Sequence, residues 1–517
     1  MNRRSLTLTS TALSLAMATL LFASPATAAT ACEALTQLSL PNGTVDAAEV
    51  VAAGAFAPPG GAGNAAAEYS RLPAFCRIML SSAPTSDSDI KIEVWLPASG
   101  WNGSFQAIGQ GGMAGSIPYR AMVPALVAGY ATAGTDTGHV GNNANFMPQY
   151  PEKLVDFAYR AMHEMAVTSK AVIEEHFDRA PEWSYFNGCS GGGRHGLTSA
   201  QRFPDDFNGI VAGASSWNSM VMDAARVGIN RLVNRTANST IPASKYPMIH
   251  EAVMNACDAR DGVTDGVLEN PTACAFDYGA LQCGGADSPS CLTAPEVQSA
   301  KALTSSLRHP ITGEVLFEGH LWPGSELEWN TLGGPEPLGN ALRRIKNITY
   351  GDPNWDPVDF DTATDVALAD EVDGGLLGSK NFDLTPFFDR GGKLLMWHGW
   401  ADPQVTPQNS VIFYENVLKT VGESAKDSIE LFMLPGVSHC DDGPGPDTFD
   451  RMAALAGWVE QGQKPTRIIA SRLEGEQVVR TRPLCPFGQV ARWNGSGSTD
   501  DAENFACVAE PMDTRSR

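Results

Sequence analysis

Residues 188–192 read Gly-Cys-Ser-Gly-Gly, and this G-x-S-x-G restricts the fold more than any other stretch of the 517-residue chain. A serine between such glycines occupies a strained tight turn, with a strand entering and a helix leaving, and glycine is needed where the two backbones pass close. The flanks supply both elements. Residues 183–186 are a short apolar strand ending at Asn187 and Gly188, residues 196–202 begin a helix, and residues 209–214 are a second buried strand. Strand, sharp turn, helix and strand make α/β order and predict a parallel sheet. An isolated pentapeptide of this kind is more often a plain glycine-rich turn. Here the flanks select a nucleophile elbow, with the Ser190 hydroxyl exposed at the strand end and a helix N-terminus facing any developing anion.

The same rhythm runs on either side. Residues 90–96 alternate apolar with polar, residues 104–108 are a strand running into a glycine-rich loop, and residues 152–179 carry helical spacing through Leu154, Phe157, Ala158, Met162, Met165, Ala166 and Val172. Residues 215–385 break the pattern: four cysteines, many Gly, Pro and Asn, and scattered Trp217, Trp322, Trp329 and Trp355 predict an inserted lid domain. The sheet pattern resumes at residues 393–397, with a helix near 410–420, a strand at 429–434 and a closing helix over 447–460. Residues 29–214 and 386–517 then form the core domain. A composition of 43% hydrophobic and 18% charged residues leaves room for a large buried core.

Residues 1–28 read as a secretory leader. Arg3 and Arg4 precede an apolar run through Leu13, Leu15, Met17, Leu20, Leu21 and Phe22, and Ala26-Thr27-Ala28 fits a small-residue cleavage site. Thr and Ser within the run, and Pro25 behind it, argue against a membrane anchor; no later segment is apolar for long enough to span a bilayer. A secreted or periplasmic protein is expected. Ten cysteines, none in the leader and none in a C-x-x-C pair, favour disulfides over zinc or redox use. Spacing suggests local bridges Cys257–Cys274, Cys283–Cys291 and Cys485–Cys507. The net charge of −22 repels nucleic acid and anionic membranes, so neither is expected as a partner; nothing in the sequence specifies an oligomeric state.

A serine needs a base. In folds of this order the triad runs serine, acid, histidine along the chain. Asp402 lies in the loop after the strand at 393–397, and His439 in the loop after the next strand, at 429–434, which is the required sequence. His398 competes for the base role, but beside a strand end it more naturally makes a structural hydrogen bond. His195, inside the elbow helix, is expected to be structural or pocket-lining. The backbone N–H of Gly191 and one from the loop 110–115, Gly112 first and Gly111 next, are the candidate oxyanion donors. Cys189 precedes Ser190 and Cys440 follows His439. If serine and histidine touch, a Cys189–Cys440 bridge is geometrically natural and leaves Cys32–Cys76 as the last pair. Finally, Asp258, Asp261 and Asp265, spaced by glycines, with the carbonyls of Val263 and Val267, could form an oxygen cage for Ca²⁺. It is not an EF-hand, because the glutamate at position twelve is missing.

Together these residues resemble the tannase and feruloyl esterase family, which includes fungal feruloyl esterases, tannases and the bacterial mono(2-hydroxyethyl) terephthalate hydrolase. The resemblance covers nearly the whole mature chain. It rests on GCSGGGR (188–194) with QRFPDDFNGIVAGA (201–214), CDARDGVTDGVLENP (257–271), HGWADPQVTP (398–407), GVSHC (436–440) and the tail RPLCPF…FAC (482–507). It implies an α/β-hydrolase core with an inserted lid, the triad Ser190, Asp402, His439 with its adjacent disulfide, and a structural calcium at Asp258, Asp261, Val263, Asp265 and Val267. The first glycine after the serine departs from relatives that carry Thr or Glu there. The implied activity is hydrolysis of a small ester of a hydroxylated aromatic acid, feruloyl esterase-like, with galloyl esters or terephthalate monoesters as alternatives. A non-catalytic binding protein is disfavoured because all three triad residues are present, and a serine peptidase on the same core is separable by an ester-versus-amide panel.

Overall fold

The computed structural model describes Met1, residues 30–61 and residues 63–514. The expected leader lies outside the described residues, apart from Met1. Three strands, β1 (Gly43–Val51), β2 (Phe75–Ser82) and β3 (Ile90–Pro97), pair antiparallel. They continue into β4 (Ser104–Ile108), β5 (Ala131–Thr135), β6 (Trp183–Cys189) and β7 (Gly209–Gly213). After a small hairpin, β8 (Leu307–Arg308) and β9 (Val315–Phe317), come β10 (Lys393–Gly399) and β11 (Ile429–Leu434). The nine strands other than the hairpin form one mixed sheet in the order β1-β2-β3-β5-β4-β6-β7-β10-β11, antiparallel up to the β3–β5 pair and parallel from β5 to β11. This is the α/β architecture the sequence predicts.

The central strands are apolar throughout because helices cover both faces. Side chains alternate between those faces along each strand. Phe186, Ile210, Leu394 and Met396 pack on one side with Met162, Met165, Leu197 and Phe413. Tyr185, Val211, Leu395 and Trp397 pack on the other with Leu455 and Trp458. The α-helices of nine residues or more among the described residues are α1 (Tyr119–Val127), α2 (Ala161–Phe177), α3 (Gly191–Arg202), α4 (Ser219–Val233), α5 (Tyr246–Cys257), α6 (Ala294–Leu303), α7 (Asp365–Asp373), α8 (Gln408–Val421) and α9 (Arg451–Gln461).

Three boundaries differ from the sequence reading, each for a physical reason. Helix α3 begins at Gly191 rather than at 196: three glycines are poor helix formers, but they are what the close packing at the elbow requires. Helix α9 begins at Arg451 rather than 447, because Asp450 is the N-cap and accepts the Ala453 N–H, while Asp447 binds the Asp442 N–H in the preceding loop. The helix expected over 152–179 contains a π-turn, Asp156–Arg160, between Pro151–Val155 and α2. There the carbonyls of Phe157 and Ala158 accept hydrogen bonds from His195 and Arg194 of α3. The tail also forms two hairpins that the sequence reading does not delineate, β12 (Ile468–Glu474) with β13 (Gln477–Leu484), and β14 (Gln489–Trp493) with β15 (Phe505–Ala509).

Strands β7 and β10 are parallel neighbours, so everything between them is an insertion in the sheet. It carries α4 to α7, and its apolar cluster of Val227, Ile249, Leu303, Trp329 and Ile345 also takes in Met113, Ala144, Met147 and Phe157 from the core side. The insertion therefore shares its interior with the loops that follow β4 and β5.

All five disulfides close as the sequence reading pairs them: Cys32–Cys76, Cys189–Cys440, Cys257–Cys274, Cys283–Cys291 and Cys485–Cys507. Cys189–Cys440 spans 251 residues, and the chain-entropy cost it removes from the unfolded state is about 5 kcal/mol. Replacing both cysteines by serine is expected to lower the unfolding free energy by about 2–5 kcal/mol. Guanidinium titration of the variant checks this, and an unchanged midpoint would refute it.

Candidate active site

Strand β6 runs through Cys189 and hands the chain directly to α3, with Ser190 as the hinge. Ser190 sits at φ 60° and ψ −123°, a conformation that costs a non-glycine residue about 1–3 kcal/mol and must be held by its surroundings. Its N–H donates to the Gly213 carbonyl at 3.0 Å, and its own carbonyl accepts from Arg194. The glycines are sterically required: a Cβ on Gly188 would stand 2.6 Å from the Gly192 carbonyl.

The loops after β10 and β11 bring the other two groups to this point. The Ser190 hydroxyl donates to His439 Nε2 at 2.9 Å, and His439 Nδ1–H donates to Asp402 Oδ2 at 2.7 Å. Asp402 is buried. Its Oδ1 accepts the N–H groups of Gln404 (2.7 Å) and Val405 (2.9 Å), and His398 Nε2 is 3.1 Å from Oδ2. Burial opposes ionisation, but the charge on His439 and the hydrogen bonds from His398 and His439 outweigh it and hold the carboxyl well below the usual carboxylate range. Asp402 is thus an anion throughout the neutral range, oriented to keep the Nδ1–H tautomer of His439 and leave Nε2 free to accept a proton.

A cleft of about 700 Å³ opens on Ser190 and His439. Gly111, Gly112, Tyr69, Ile117, Tyr119, Asn340, Gln404 and Arg451 are among the residues that line it. Among the described residues, nothing accepts from the N–H of Gly111, Gly112 or Gly191. Gly112 has φ 63°, which favours glycine, and it is held in place because Asn142 Oδ1 accepts the next N–H, that of Met113, at 3.1 Å. Gly111 lies closer to the serine side chain, since a Cβ there would be 3.7 Å from Ser190 Oγ.

Beyond Ser190 lies a second cavity of about 40 Å³, room for a few water molecules. Arg194, Arg226 and Arg344 line it, together with Ser216 and Ser219. Asp223 bridges the last two arginines, to Arg226 Nη1 at 2.7 Å and Arg344 Nε at 2.5 Å. Burial, with the charge of Arg344 adding to it, pushes the Arg194 guanidinium down to about 9. Among the described residues, Arg226 Nε has no acceptor. Three guanidiniums against one bridging carboxylate leave this side of the serine electropositive. The sequence reading missed these residues. Their one local signal is an Asp–Arg pair three residues apart on a helix buried along most of its length, at Asp223 and Arg226.

His195 is buried against Phe157, away from the cleft, and burial holds its ring well below the ordinary value, so it is neutral and structural. The insertion's tryptophans do not line the cleft: Trp322 and Trp329 are buried core, Trp217 packs edge-on to Phe382, and Trp355 stacks on Tyr350. The aromatic rings that line the cleft are Tyr69 and Tyr119.

In the loop from Cys257 to Val267, Gly262 and Gly266 have positive φ, and the carboxylates accept backbone N–H groups: Gly266 to Asp258, Val263 to Asp261 and Val267 to Asp265. Burial pushes Asp261 up to about 6, with Asp265 and Asp258 adding to it. Carboxylates of like charge on one short loop are the donor type a hard cation takes. Against this, Asp265 is paired with Arg482 and Arg480, and no group of three His, Cys, Asp or Glu side chains is gathered as a metal cluster among the described residues.

The family model for tannase and feruloyl esterase matches residues 76–508. The chain is 38% identical to an uncharacterized esterase of Xanthomonas campestris pv. campestris, over 94% of this chain and 92% of that one. It superposes on the crystal structure of feruloyl esterase B from Aspergillus oryzae with a TM-score of 0.85 at 30% identity, covering 92% of this chain and 99% of that chain. The tannin acyl hydrolase from Aspergillus niger gives a TM-score of 0.74 at 26% identity, with 91% and 92% covered. The nine-stranded sheet with its flanking helices is the α/β-hydrolase fold.

The geometry predicts that a fluorophosphonate labels Ser190 covalently at neutral pH, and that His439→Ala slows labelling by about 10²–10⁴-fold. Mass spectrometry of the labelled peptide is the check. A label on any other residue, or an undiminished rate in the histidine variant, would contradict it.

Proposed function

Because the chain belongs to the tannase and feruloyl esterase family and is a carboxylic ester hydrolase, we propose that it cleaves esters of hydroxylated aromatic acids through an acyl-enzyme on Ser190. The observation that carries this reading is the unbroken hydrogen-bonded line from Ser190 through His439 to Asp402, at 2.9 and 2.7 Å. Ser190 Oγ attacks the ester carbonyl as His439 Nε2 takes its proton, and Asp402 stabilises the imidazolium. The tetrahedral oxyanion is received by the N–H groups of Gly191 and Gly112, and the electropositive wall of Arg194, Arg226 and Arg344 favours the same charge. Collapse breaks the ester C–O bond, and His439 returns the proton to the leaving alcohol. Water then attacks the acyl-enzyme with His439 as base, releasing the acid and restoring Ser190.

A phenolic ring finds apolar and aromatic surface at Ile117, Tyr69 and Tyr119, with polar groups at Asn340 and Gln404. The relatives named for feruloyl and tannin esters support aromatic acyl groups for this chain too. Five disulfides, and the absence among the described residues of any helix long and apolar enough to cross a membrane, fit the secreted or periplasmic location that the leader suggests. For the loop at 257–267 we propose a structural calcium held by oxygens of Asp258, Asp261, Val263, Asp265 and Val267. Its support is the all-oxygen donor set and the like charges crowded at Asp261.

Purified protein assayed on methyl ferulate, methyl gallate, a terephthalate monoester and a p-nitrophenyl ester is expected to turn over the hydroxylated aromatic esters, with kcat lower by about 10⁴-fold or more in Ser190→Ala. Retained turnover in that variant removes Ser190 as nucleophile, and preference for the terephthalate monoester revises the acyl class. For calcium, the thermal midpoint should rise when millimolar Ca²⁺ replaces a chelator, and Asp261→Asn should abolish the rise; equal midpoints with and without the ion reject the site.

A further inference from the structure

Asp402 Oδ2 accepts from two imidazoles. His439 Nδ1–H reaches it at 2.7 Å, and His398 Nε2 stands 3.1 Å from the same oxygen. His398 is fully buried near the end of β10. Its Nε2 is also 2.8 Å from the Val405 carbonyl, so this nitrogen faces two acceptors and must carry a hydrogen. Nδ1 lies 2.7 Å from the hydroxyl of Ser410, itself buried in the first turn of α8. With the hydrogen on Nε2, Nδ1 accepts the Ser410 O–H. The ring is therefore fixed at both nitrogens, by α8 on one side and by the loop that carries the acid on the other.

We propose that His398 is a positioning residue for the acid of the triad: its Nε2–H pins Asp402 Oδ2 in line with His439 Nδ1–H, and Ser410 selects the tautomer that makes that N–H available. This rests on the triad reading of Ser190, His439 and Asp402. The N–H groups of Gln404 and Val405 both attach to Oδ1, which leaves the second oxygen free to swing about the first. His398 supplies the missing attachment. By sharing Oδ2 it also moderates the pull of Asp402 on the His439 proton. The other charged groups facing this pair are Arg226 of α4, whose charge acts on Asp402, and Asp441, which neighbours His439 on its own loop. Neither hydrogen-bonds to Asp402 among the described residues, so neither replaces the His398 contact.

The test compares His398→Phe, which fills the space without a donor, with His398→Gln, whose amide N–H reaches the Nε2 position, and with Ser410→Ala, which frees the tautomer. Ser190→Ala is measured alongside, and rates are taken per folded molecule from thermal melts. His398→Phe should lower kcat by about 10- to 100-fold and leave KM within about twofold. It should also move the acid limb of the kcat/KM profile to higher pH, because Asp402 then draws the His439 proton harder. His398→Gln should restore kcat to within about threefold of the parent and return the acid limb, with Ser410→Ala between the two. A folded His398→Phe with unchanged kcat and acid limb overturns the proposal, as does a His398→Gln no better than His398→Phe. If His398→Phe does not fold, a Ser410→Ala with the parent's kcat and pH profile overturns it. Turnover by Ser190→Ala would remove the triad reading itself; an inactive Ser190→Ala beside a fully active His398→Phe removes only the role of His398.

Discussion

The bond between Cys189 and Cys440 ties the turn that carries Ser190 to the loop that carries His439. Ser190 and Cys440 both lie in the left-handed half of backbone space, where a side chain is disfavoured. Each is a neighbour of a cysteine or of a triad member, so the disulfide sits between two strained turns, each of which alone would relax. It closes a loop that contains the whole insertion and three core strands, β7, β10 and β11. The β6 and β11 ends are thereby tied to one another beside the 2.9 Å contact between Ser190 and His439. The strain at the elbow is offset by the sheet around it: the Ser190 N–H bonds to β7, and the glycines of α3 let the helix start against β4 and β6.

Charge is arranged around this frame with the same economy. Asp402 is buried but accepts two backbone N–H groups and two imidazole N–H groups, which offset the loss of water and keep it ionised. On the far side of Ser190 the balance is reversed: Arg194, Arg226 and Arg344 line one small cavity, and Asp223 bridges the last two. The reacting carbonyl would thus lie between a histidine–carboxylate pair on one side and an electropositive wall on the other. That polarity is what a reaction passing through an oxyanion needs.

Much of this was legible in residue order. The core strands are apolar runs bounded by turn residues, and β11 is observed over the residues read from sequence, while β10 runs on to Gly399. Ser190, Asp402 and His439 each follow such a strand, so local pattern was enough to nominate them, and the flanking cysteines could be paired by requiring the serine and histidine to meet. Pattern failed where tertiary packing overrides local preference. Gly191 to Gly193 look like a helix breaker and are a helix start, because only they tolerate the approach of Gly109 and Gly213. Asp156 to Arg160 look like ordinary helix and form a π-turn, because Arg194 and His195 claim two of its carbonyls.

The sequence by itself determined the α/β order, nominated Ser190, His439 and Asp402 as nucleophile, base and acid, and suggested the five disulfide pairs, since each depends on short-range pattern or on neighbours of residues expected to touch. Only the tertiary structure decided what surrounds them. It packed the insertion's tryptophans away from the cleft and left Tyr69 and Tyr119 to face it. It brought Arg194, Arg226 and Arg344 together from separate segments, and it set His398 on the second oxygen of Asp402. The physical reason is that a side chain's partner across the fold is fixed by how helices and loops pack on the sheet, and periodicity along the chain carries burial but not the identity of that partner.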